Sequence, residues 1–294
     1  MISTTPHASR WLALVLFAIA LGLAAVALLG PLVTELIDYR VSETLRNQTI
    51  GLDAVSLFFV APLALIAALL VLRGHVAGLV LALGIGAYTA YMFLQYILGP
   101  DYGHLRGNNE RLFPLALFLF AAGWGVALMA WNAADVRRLP RSRRREQLIG
   151  RIVLPVLALV TFSRYAPQLM DWMSSSPEDK NYLAGPSFSW AIAMLDLGVF
   201  LPATVVTCVG LVRGAPWAQK ALYMVVGWFG LVGPAVAAMA ITMYVNDDPI
   251  GSGGNTIFST VLGLAFLTLG VFVYWPLSWP RAGSGVAEGE AVRA

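Results

Sequence analysis

Apolar residues run almost without interruption for about twenty positions at a time, eight times over, with short polar stretches between the runs. They fall at residues 11–33, 53–72, 76–98, 112–132, 151–172, 188–211, 221–244 and 256–279. At a rise of about 1.5 Å per residue, each is long enough to cross roughly 30 Å of hydrocarbon. Lipid offers no partner to a free backbone N–H or C=O, so each must close its own hydrogen bonds as a helix. The expected fold class is therefore all-α, a polytopic membrane protein of eight transmembrane helices. The first run follows Arg10 and is rich in alanine, as a signal peptide would be. It is longer than the usual apolar region of such a peptide and seven more spans follow, so we read it as a retained helix.

Composition agrees with the pattern. The chain is 59% apolar and 12% charged, against about 45–50% and about 25% in a soluble domain. This excludes an ordinary soluble protein and leaves no room for a separate globular domain. The net charge of +3 and pI near 9.1 do not point to nucleic acid, because most of the basic excess sits in one block between two apolar runs. Arg137, Arg138, Arg141, Arg143, Arg144 and Arg145 read instead as topology determinants. With eight spans both ends of the chain share a side. The tails and even-numbered connections hold 13 of the 19 basic residues, which places both termini in the cytoplasm by the positive-inside rule. The use of arginine over lysine, with the load of Ala, Gly and Val, suggests a GC-rich bacterial genome and hence the inner membrane of a bacterial cell. The lone Cys208 permits no internal disulfide. The sequon Asn47-Gln48-Thr49 falls outside and carries no functional reading in a bacterial protein.

The chain repeats itself weakly. Residues 58–74 align without gaps on residues 198–214, placing Pro62 over Pro202, Arg73 over Arg213 and Gly74 over Gly214 at an offset of 140. Matches of this kind are individually weak and gain weight together. They suggest two four-helix membrane repeats, residues 1–133 and 151–279, in parallel orientation because each half has an even number of spans. A basic cytoplasmic connector, 134–150, joins them, and 280–294 forms a disordered tail. Small residues at Gly84, Gly86, Gly123, Gly125, Gly227, Gly230 and Gly233 would let helices approach closely. Pro234 is expected to kink the seventh span.

Few polar residues lie inside the spans. Arg164 and Asp196 each sit eight residues from the outer end of their run, roughly 12 Å deep by helical rise. Neighbouring helices would then join them as a buried ion pair that fixes register or serves a function. Asp53 begins the second run, where a helix N-terminus favours a carboxylate, so capping is its first explanation. Tyr88, Tyr91 and Gln95 share one helix face, with Tyr91 and Gln95 near the level of Asp53, and these four residues are candidates for ligand binding. Neither a Walker motif nor a dinucleotide fingerprint nor HExxH occurs. The three histidines are scattered over both sides of the membrane, so no metal site and no cofactor is expected. The loop 246–254 is rich in Asp and Gly but lacks the ordered ligand spacing of a calcium site.

The segments LDAVSLFFVAPLALIAALLVLRG, GAYTAYMFLQYILGPDY and LDLGVFLPATVVTCVGLVRGAPWAQKAL together resemble a group of uncharacterised multi-pass bacterial membrane proteins with no assigned activity. The likeness covers most of residues 50–245 and implies fold and location alone. Three functional readings follow from the residues. The first is a carrier or binder of a small solute or lipid, with the bilayer as its other partner. The second is a non-catalytic accessory protein with unknown protein partners. The third is an intramembrane enzyme acting on a lipid or quinone through Asp53 or Asp196, and enzyme activity is the least supported of the three.

Overall fold

The computed structural model describes residues 6–277. The end of the last apolar run, with Trp279, and the expected tail 280–294 lie outside the described residues. Among the described residues there is no strand, and eight helices are long and apolar enough to cross a membrane. These are α1 (His7–Leu29), α2 (Glu43–Leu72), α3 (Val76–Leu98), α4 (Asn109–Ala133), α5 (Arg143–Trp172), α6 (Pro186–Arg213), α7 (Trp217–Val245) and α8 (Gly253–Leu277). The all-α, eight-span architecture read from the apolar pattern is the architecture observed. We call the side carrying connections 30–42, 99–108, 173–185 and 246–252 the far face, and the opposite side the near face.

Two helices begin well before their apolar runs. Ser42 accepts from the Leu45 N–H at 3.4 Å, and Ser142 accepts from the Arg145 N–H at 3.5 Å. Each serine satisfies an otherwise free donor and starts a helix whose first turns are polar. Residues 143–150, expected within the connector, are thus helical. Hydropathy misses such turns because they lie outside the continuous apolar stretch.

Three helices open into a π turn just before a proline. Ala61 N–H donates to Ser56 C=O, Leu154 N–H to Ile149 C=O and Leu201 N–H to Asp196 C=O. Pro62, Pro155 and Pro202 follow immediately. A proline ring has no N–H and crowds the carbonyl four residues back, and a wider turn makes room for it. Two of these turns, and the left-handed glycines Gly74 (φ 71°) and Gly214 (φ 75°), recur at the 140-residue offset. The third π turn has no counterpart in the first half.

The halves pack differently. In the first, α1 packs on α2, α2 on α3, α3 on α4 and α4 back on α1, closing a bundle. In the second, α5, α6, α7 and α8 pack in succession, but α5 and α8 are not packed along their length. The halves meet where α7 packs against α2 and α3. At the α3–α7 crossing a Cβ placed on Gly84 would lie 2.9 Å from the Gly227 Cα, so only glycine permits that approach. Gly86 and Gly123 bring α3 and α4 together in the same way, and Gly233 and Gly263 join α7 to α8, whereas Gly125 has nothing within 4 Å.

The basic block has a local structural use. Arg143 Nη2 donates to Val212 C=O at 3.2 Å, Arg145 Nη2 to Phe272 and Val273 C=O at 2.8 and 2.7 Å, and Lys220 Nζ to Trp131 C=O at 2.8 Å. The even-numbered helices end on the near face, where their last carbonyls carry partial negative charge, and these cations satisfy them.

On the far face, Asp248 is 5% exposed and accepts from Thr44 Oγ1 at 3.1 Å, Asn47 Nδ2 at 2.9 Å and the Ile250 N–H at 2.9 Å. The Asn47 amide is committed to this contact and is closed to modification. Asp248→Ala leaves these donors unpaired, and we expect it to destabilise by about 2–3 kcal/mol. Unfolding in detergent with increasing SDS checks this.

Candidate functional site

Asp196 is held by two phenols. Tyr91 Oη on α3 donates to Oδ1 at 2.8 Å, and Tyr165 Oη on α5 donates to Oδ2 at 2.6 Å. The direct Arg164–Asp196 ion pair expected from matching depths is not formed. The Arg164 guanidinium carbon instead lies 5.5 Å from the centre of the Tyr165 ring. The cause is angular. Consecutive residues on a helix point about 100° apart. Tyr165 is buried against α6, while Arg164 is exposed and faces a cleft. The two phenols satisfy the carboxyl group without a second charge being buried beside it.

The four candidate ligand residues separate into distinct groups. Tyr88 lies 3.0 Å from Ser56 Oγ and is fully enclosed. Asp53 is buried ten residues into α2, so it is no cap, and its Oδ1 accepts from Tyr96 Oη. Its Oδ2 and the Tyr39 hydroxyl both lie close to Gly30, and neither has a partner of hydrogen-bonding geometry. Burial raises the Tyr39 phenol well above its ordinary pKa, and the nearby Asp53 carboxylate raises it further. Tyr91 and Gln95 line the cleft. Pro234 lies within α7, which continues unbroken from Trp217 to Val245.

The cleft lies among α5, α6, α7 and α8 and reaches α3. Its deep part is a cavity of about 170 Å³ bordered by Tyr91, Gln95, Asp196, Trp228 and Phe266. Its wider part, about 490 Å³, extends to the far face at Asp179 and Asn181. Val160, Arg164, Tyr165, Ile192, Val236 and Leu262 border both parts, which makes them one space with Arg164 at the junction. The larger volume falls in the range of small-molecule sites, roughly 300–1,000 Å³. At the inner end the Phe200 and Trp228 rings stack at 3.6 Å between centroids, and Tyr91 meets each edge-on at 5.3 and 5.1 Å. This triad ties α3, α6 and α7 together beside Asp196.

Three buried polar atoms on this space lack hydrogen-bond partners: Gln95 Nε2, Trp228 Nε1 and Gln168 Oε1. Native proteins satisfy nearly all such atoms, and among the described residues these three border one cleft. Tyr165, Gln168 and Trp228 escaped sequence reasoning. Tyr165 carried a signal as the neighbour of an intramembrane arginine. Trp228 carried another, because the 140-residue offset sets it over Tyr88. Gln168 carried none.

Among the described residues, no three or more His, Cys, Asp or Glu side chains come together as metal ligands would. Comparison of the chain with known protein families, with curated protein sequences and with solved structures finds no match.

Proposed function

We propose that this is a carrier or binder of a small solute or lipid, with its ligand space in the second four-helix half against α3 and α7. One observation carries the reading: Arg164 borders a cleft at bilayer depth, and among the described residues no carboxylate lies within 4.0 Å of its guanidinium nitrogens. An ionisable side chain at that depth costs several kcal/mol unless it faces a cavity, water or a charged partner, and such residues mark functional sites. Three unpaired buried polar atoms also border the cleft. An accessory scaffold has no need of such a space, and a closed second half would serve it better.

The positive-inside count places the far face outside and both termini in the cytoplasm of a bacterial inner membrane, so the cleft opens to the outer side. The features shared at the 140-residue offset favour descent from a duplicated four-helix unit, with the second copy opened between α5 and α8. Thiol labelling tests the reading. In a Cys208→Ser background, Ser163→Cys places a thiol at an exposed position on the cleft wall. A membrane-impermeant maleimide added to intact cells is expected to modify it. If it reacts only after the membrane is breached or the protein denatured, the cleft is closed to the outside and the reading fails.

A further inference from the structure

The chemistry of the cleft is uneven in a way that specifies its ligand. Asp196, a strong acceptor, has both oxygens engaged by Tyr91 and Tyr165. What remains without a hydrogen-bond partner around the deep part of the space, among the described residues, is a set of donors: the Arg164 guanidinium, Gln95 Nε2 and Trp228 Nε1. Gln95 and Trp228 are each only 4% exposed, so water reaches these donors poorly. The guanidinium carries five N–H groups in a planar fork suited to two oxygens of one anion. The free acceptor, Gln168 Oε1, lies in the outer part of the space.

The rest of the lining is apolar. Phe229, Val232, Val236, Leu262 and Phe266 face the deep cavity. Between α5 and α8, which are not packed along their length, Val160 and Phe258 stand exposed on the border of the cleft. A hydrocarbon chain leaving through this gap would pass from protein directly into lipid.

Resting on the reading of this cleft as a ligand site, we propose that its ligand is an anionic amphiphile. Its oxyanion head sits on Arg164 with Gln95 and Trp228, and its apolar tail emerges between α5 and α8. The head is a single anionic oxygen group, either the phosphodiester of a membrane lipid or the carboxylate of a free fatty acid. A neutral acceptor such as a quinone would accept hydrogen bonds from the guanidinium but bring no negative charge to complement it.

The full chain in nanodiscs of phosphatidylcholine, examined by native mass spectrometry, tests this with three added probes: phosphatidylglycerol, oleate and ubiquinone. Phosphatidylglycerol or oleate is expected to remain bound to the wild type. Arg164→Leu should weaken that binding at least tenfold with little change in melting temperature, Arg164→Lys should weaken it less, and Trp228→Phe, which removes only the indole donor and keeps an aromatic ring, should weaken it severalfold. Retention of phosphatidylglycerol alone assigns the head to a membrane lipid, retention of oleate alone assigns it to a free acid, and retention of both leaves the class as stated. Retention of ubiquinone in preference to either anion overturns the proposal, as does equal anion binding by wild type and Arg164→Leu. If Arg164→Leu fails to fold, Arg164→Gln and Trp228→Phe carry the same comparison. Binding of no probe, with Ser163→Cys still labelled from outside, rejects the anionic amphiphile and leaves the open cleft standing. Absence of both binding and labelling rejects the two together.

Discussion

Asp196→Leu lowers stability by roughly 2–4 kcal/mol, while Arg164→Leu changes it by less than about 1 kcal/mol; this is the outcome expected of SDS unfolding on the two variants side by side. An ion pair would predict the opposite symmetry. Removing either member of a buried pair strands the other charge, and both substitutions would be severe. The observed contacts divide the roles. Asp196 joins α6 to α3 through Tyr91 and to α5 through Tyr165, at 2.8 and 2.6 Å. Leucine leaves two buried phenol O–H groups without acceptors. Each such bond to a carboxylate is worth about 1.5–3 kcal/mol in general, and interhelical bonds in membranes fall toward the lower part of that range. Arg164 loses only its placement near the Tyr165 ring, on a side chain already open to the cleft. Asp196→Asn should fall between, because the amide keeps one acceptor oxygen and Tyr165 or Tyr91 must reorient against its NH₂. Comparable losses for Arg164→Leu and Asp196→Leu would restore the direct pair.

The difference between what was legible in the sequence and what was not follows from the range of the forces involved. Spans are legible because the bilayer acts on every residue of a run at once, and eight runs of apolar residues have no other stable state in lipid. Depth is legible too, since helical rise converts residue count into distance; Arg164 and Asp196, set at one depth by that measure, border the same cleft. Azimuth is not. Whether Arg164 or Tyr165 meets Asp196 depends on the rotation of α5, and the polar residues on that span do not say whether they turn to a neighbouring helix or to a cleft. The same limit separates Asp53 from Tyr91: α2 extends ten residues further toward the far face than its apolar run, so the carboxylate lies inside the helix beside Tyr96 and not at its start. The open second half was equally hidden. Its sequence is nearly as apolar as the first, and the absence of packing between α5 and α8 arises from how whole helices lean, which no local pattern records.

A second large effect outside the cleft is expected at Gly51, a residue that no spacing argument singled out. A Cβ at this position would lie 2.5 Å from the carbonyl carbon and oxygen of Ala238 and 2.6 Å from the Met239 nitrogen. All three are backbone atoms, so no side-chain rotation relieves the overlap, and α2 and α7 must separate. Thr242 Oγ1, which donates to Asn47 C=O at 2.7 Å one turn away along the same seam, would be strained with it. Alanine gains about 1 kcal/mol over glycine in a helix interior, whereas overpacking typically costs 1–3 kcal/mol and sometimes more. The second term wins here because the obstruction is main chain. Gly51→Ala should therefore destabilise by about 2 kcal/mol net. It should also weaken ligand retention, since Met239 on the displaced helix borders the cleft. Gly125→Ala is the matched control. Its Cβ would meet nothing within 4 Å, so only the propensity gain remains and stability should rise by up to about 1 kcal/mol. Unfolding both variants in one detergent separates close helix contact from composition alone, and a Gly51→Ala protein as stable as Gly125→Ala would show that α2 and α7 do not meet at this distance.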